Sequence, residues 1–72
     1  MNKLINFIEK NIDLATNAPD RATAQNFYSQ AFGALSYWSY ANYEQHPNEE
    51  AQMIERWNND WRVRFEEIVW GK

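Results

Sequence analysis

Cysteine is absent from this 72-residue chain, which excludes disulfides and thiolate metal sites. Histidine occurs once, at His46, so no second imidazole can share a metal ion. Proline and glycine occur twice each, as Pro19 and Pro47 and as Gly33 and Gly71. So little glycine excludes a phosphate-cradling loop. No apolar run approaches the roughly 18 residues that read as a membrane span. Met1 to Ala18 does not read as a secretory signal, because Asn6, Glu9, Lys10, Asn11 and Asp13 interrupt it. A cytoplasmic protein is the resulting expectation, in keeping with the missing cysteine.

What remains is aromatic. Four Trp, four Tyr and four Phe make up 17% of the chain, and each ring can bury on the order of 150–250 Å². A chain this short hides only about 60% of its unfolded surface, so those rings are the expected source of stability. The net charge is −3, which favours solubility and disfavours a phosphate-backbone partner.

Pro19 and Pro47 divide the chain into three segments, each with helical periodicity, and no alternating run suggests a strand. The first helix is expected over about 2–16. Leu4, Phe7, Ile8, Ile12 and Ala15 share its apolar side, with Ile5 and Leu14 at the margins. The second is expected over about 19–44, with Pro19 in the first turn and a stripe of Ala24, Phe27, Ala31, Leu35 and Trp38. Tyr28, Phe32 and Ala34 widen that stripe. The third is expected over about 47–70, with Glu49 and Glu50 in its first turn and a stripe of Ile54, Trp57, Trp61, Phe65 and Ile68. A connection of about three residues around His46 makes the two long helices antiparallel neighbours. The fold class is therefore all-α: a small three-helix bundle in which a long hairpin of helices two and three carries the shorter N-terminal helix across it.

No constellation of catalytic residues emerges. His46 reads as a solvated turn residue beside a helix end. Ser29, Ser36 and Ser39 lie within a helix, outside any nucleophile elbow. Glu49–Glu50 and Glu66–Glu67 are adjacent pairs, and adjacent helical residues point about 100° apart. Glu66 and Glu67 read as a solvated face. Arg56, Arg62 and Arg64 are interleaved with Trp57 and Trp61, a mixture that suits nucleic acid. On a regular helix, however, the three arginines diverge by more than about 80°. The expectation is of no enzyme, no metal, no cofactor and no small-molecule substrate.

The unusual feature is the absence of charge from Ala22 to Tyr43, a stretch holding seven aromatic residues. Its outer face carries Gly33, Tyr37 and Tyr40. Tyrosine joins a broad apolar ring to a polar tip, as contact surfaces require. A second patch on helix three pairs Val63 with Trp70, seven residues apart. These five residues are the candidate protein interface. The function expected is a non-enzymatic interaction module that forms a homodimer or docks on a protein partner. The alternative is an acidic inhibitor mimicking nucleic acid, suggested by Glu49, Glu50, Glu55, Asp60, Glu66 and Glu67 on helix three.

Overall fold

The computed structural model describes residues 2–71. Its elements are α1 (Asn2–Thr16), α2 (Arg21–Asn42) and a third helical rod. That rod consists of α3 (Pro47–Arg56), a π-helical segment (Trp57–Trp61) and α4 (Arg62–Trp70). The three rods form a bundle with overall dimensions of 39 × 18 × 16 Å. No helix among the described residues is long and apolar enough to cross a membrane.

Local chemistry sets the ends. Asn17 closes α1, with its backbone N–H and its side-chain Nδ2 both donating to the Asp13 carbonyl (3.2 and 2.9 Å). The second helix begins at Arg21, two residues later than the proline suggests. Asp20 is its N-cap, extended at φ −152°, and accepts from the Thr23 N–H at 2.8 Å. That donor is one of the unpaired first-turn amides, which a carboxylate satisfies better than a helical Asp20 could. The helix ends at Asn42, and Tyr43–Gln45 form the turn into Pro47. Gly33 leaves α2 unbroken.

The core consists of Ile8, Ile12 and Ala15 from α1, Ala24, Ala31 and Leu35 from α2, and Met53, Trp57, Trp61, Phe65 and Val69 from the third rod. The last five recur every four residues. On a uniform α-helix the span from 53 to 69 drifts by about 160°, which would turn Met53 away from Val69. The π segment prevents this. Within it the Arg62 N–H bonds the Trp57 carbonyl, five residues back instead of four. One additional residue in the turn removes about 100° of drift and holds all five side chains inward. Ile54 and Ile68, expected in the core, are consequently only half-buried, and Met53 and Val69 take their places.

Two other expectations fail for related reasons. Phe7 is exposed, because the buried side of α1 is centred on Ile8 and Ile12, about 120° from it. Asn11 is buried instead, its Nδ2 donating to the Phe7 carbonyl at 2.8 Å while its Oδ1 has no partner. Phe32 lies at the edge of the α2 stripe and remains 53% exposed.

Candidate interaction surface

The exposed face of α2 runs through Asn26, Ser29, Gln30, Gly33, Ser36, Tyr37 and Tyr40. Positions three, four and seven apart fall on one side of a helix, which places these residues together. Tyr37 is 76% exposed and Tyr40 78% exposed, so neither ring packs against its own chain. Gly33 lies at the centre of the face. A methyl group built on its Cα would meet nothing within 4 Å, so the bundle itself has no steric need for glycine there.

Beside this face lies a slot of about 300 Å³ lined by Gln25, Tyr28, Ser29, Phe32, Trp57 and Arg62. Its wall is a cluster of rings. Tyr28 stacks on Phe65 with centroids 5.0 Å apart, and Trp57 lies 5.6 Å from Phe32 and 5.9 Å from Tyr28. The Tyr28 hydroxyl donates to Glu66 Oε2 at 3.1 Å, and Glu66 in turn pairs with Arg62 at 3.1 Å. Burial, and then the hydrogen bond to the Glu66 carboxylate, raise the Tyr28 pKa above the usual phenol value. Glu66 is therefore a half-buried acceptor, not the solvated acid its position beside Glu67 suggests. Arg62 also donates from Nη2 to the Asn58 carbonyl at 3.1 Å. In a regular helix that carbonyl would receive the Arg62 N–H, which the π segment diverts to Trp57.

The π segment also corrects the expected divergence of the arginines. With one additional residue in the turn, Arg56 and Arg64 come within about 20° of one line. Both reach Glu9 of α1, at 3.5 and 3.3 Å, and both reach Asp60, at 3.9 and 3.8 Å. Glu9 accepts in addition from the indole Nε1 of Trp61 at 2.7 Å, while the Arg56 guanidinium lies 4.4 Å above the Trp61 ring. Trp61 is completely buried, so this one carboxylate satisfies its only polar atom. Trp57 and Trp61 are core residues, unavailable for stacking on bases.

Val63 and Trp70 share a side of α4 and are 39% and 58% exposed. The Trp70 ring lies under the Arg21 guanidinium, 5.5 Å away, at the end of the bundle where α2 begins. Arg21 and Tyr40 are 19 residues apart, or about 28 Å along α2. The two predicted patches are thus separate, and Tyr37 and Tyr40 are not joined to Trp70. A second hollow of about 380 Å³ lies at this end, bordered by Thr16, Asp20, Arg21, Glu67 and Gly71.

His46 sits in the turn before α3, with Nδ1 3.7 Å from Glu49. Among the described residues no group of His, Asp and Glu is arranged to hold a metal ion. Comparison with protein-family models, with curated proteins and with solved structures finds no match. The slot and the Glu9 cluster escape sequence reading because each joins residues from different helices. Only the exposure of Phe32, at the margin of its stripe, had a signal in the helical wheel.

Proposed function

We propose that this chain acts by protein–protein contact, without catalysis, through the exposed face of α2. The observation that carries this reading is the projection of Tyr37 and Tyr40 from a helix with no charge between Ala22 and Tyr43. A solvated helix normally carries charge on its outer side. A neutral side with two extended tyrosines fits an occupant that brings its own apolar and hydrogen-bonding groups. Trp70, held under Arg21, is a secondary contact at the far end of the bundle. Ion pairing weighs against the acidic mimic. Asp60 faces Arg56 and Arg64, and Glu66 faces Arg62, so two of the six acids on the third rod are paired with arginine and the field a mimic needs is diluted there.

The reading is tested with a photo-reactive side chain at position 37 in the native cell. The expected result is a discrete protein adduct, absent when the same group replaces Asp13 on the solvated side of α1. No adduct at position 37, or equal labelling at both positions, would overturn it. Binding anchored by tyrosine should also persist at high ionic strength, whereas an acidic mimic would release its partner.

A further inference from the structure

We infer that the third rod is a two-register switch, whose π turn is taken back into ordinary α-helix when α3 and α4 roll in opposite senses. The inference is independent of the contact function proposed above.

Two apolar stripes are written into the same rod. The one that faces inward is Met53, Trp57, Trp61, Phe65 and Val69. It lines up only because of the wide turn, in which the Arg62 N–H bonds the Trp57 carbonyl. The other is Ile54, Trp57, Trp61, Phe65 and Ile68, which lies within about 80° on a uniform α-helix. Three rings are common to both. Passing from one stripe to the other exchanges Met53 and Val69 for Ile54 and Ile68, side chains of similar bulk. Ile54 and Ile68 are already half-buried and packed against the core, so a roll of about 50° at each end completes the exchange. Two packings of one sequence with nearly equal apolar burial make a bistable element.

The backbone is provided for in both registers. In the π register the Asn58 carbonyl accepts from Arg62 Nη2 at 3.1 Å. In the α register the Arg62 N–H takes that carbonyl in a regular four-residue bond, and the guanidinium is released. What distinguishes the registers is polar contact with the other helices. Arg56 and Arg64 reach Glu9 together only with the wide turn, since uniform winding sets them about 80° apart. The Tyr28 hydroxyl meets Glu66 at 3.1 Å only while α4 keeps its present facing. These contacts hold the π register as the major one. The slot beside α2 belongs to that register alone, because the roll carries Arg62 and Glu66 away from Tyr28. The switch therefore opens and closes the slot, and an occupant of the slot selects the π register.

Thiol trapping tests this, because the chain has no cysteine of its own. Met53 and Val69 leave the core in the α register, at opposite ends of the rod and in one event. M53C and V69C should each react with a maleimide under native conditions at least tenfold more often than global unfolding permits, with unfolding measured on the same variant by urea titration. The two opening equilibria should agree within about threefold, as one shared event requires. Deleting Asn59 removes the residue that separates the registers, so in that background V69C should react only through global unfolding. Reaction of M53C and V69C no faster than global unfolding permits would overturn the switch. So would fast reaction at position 69 with none at position 53, or fast reaction that survives the deletion, since both describe fraying of the last helical turn.

Discussion

Single side chains carry unusual weight in a bundle this small. Trp61 is completely buried, and Trp61→Ala should cost about 3–5 kcal/mol through lost burial and a cavity. That is comparable to the whole stability expected of such a domain, so most helical circular dichroism should be lost at room temperature. Glu9→Ala should cost about 1–3 kcal/mol, because it leaves the Trp61 indole N–H buried without an acceptor. Glu9→Gln keeps an acceptor and should recover much of that loss in a urea titration. Two ionisable groups make stability depend on pH at the extremes. The Asp20 pKa is lowered, first by the Thr23 backbone N–H, so its contribution is present above the ordinary value of about 3.9 and lost as pH falls through the depressed one. The Tyr28 pKa is raised, so its contribution is present below about 10 and lost as pH rises through the raised value. Melting temperatures followed above pH 9 should fall less steeply for Tyr28→Phe than for the parent. Parallel slopes for the two would show that Tyr28 does not govern the alkaline transition.

The π segment is the element whose removal is most informative. Asn58 and Asn59 are exposed, and Asn59→Ala should change stability by no more than about 0.5 kcal/mol. Deleting Asn59 should also leave the chain folded. The deletion converts the turn to ordinary α-helix and keeps Phe65 and Val69 in phase with Met53, because the residue removed is the one the wide turn accommodates. It likewise keeps Arg56 and Arg64 in line, where they share Glu9 and Asp60. A deletion variant without a cooperative melt would show that the wide turn matters for more than the facing it sets. The third helix was legible in the sequence in its limits and in its buried tryptophans. Its exact facing was not. A helical wheel assumes uniform winding, and nothing in Trp57–Trp61 announces five residues per bond instead of four.

At the scale of the molecule, the two faces of α2 separate folding from association. Ala24, Ala31 and Leu35 hold it in the core, while Tyr37 and Tyr40 touch nothing that stabilises the monomer. The double variant Tyr37→Ala, Tyr40→Ala should therefore melt as the parent does in dilute solution and lose only its contacts with other chains. Gly33→Ala should act oppositely on the two properties. It should stabilise the isolated bundle by about 0.8–1.0 kcal/mol through helix propensity, a rise of about 4–8 °C in Tm per kcal/mol. The added methyl should at the same time weaken contacts made through the exposed face of α2. An unchanged or lower Tm in dilute solution would mean that glycine serves the monomer after all.

Composition and short-range pattern alone determined that this chain makes three helices, that Pro47 with Glu49 and Glu50 starts the third, and that Trp57, Trp61 and Phe65 face inward. They also determined that α2 carries no charge between Ala22 and Tyr43, because charge is a property of the residues and survives any folding. The tertiary structure decided the rest. It brought Glu9 of α1 to Trp61, Arg56 and Arg64, and it exposed Phe7 while burying Asn11. It chose Met53 and Val69 over Ile54 and Ile68 by widening one helical turn. Those outcomes depend on how three helices share a single core, and no segment carries that information by itself. The winding of the third rod is fixed only when its rings meet α1 and α2.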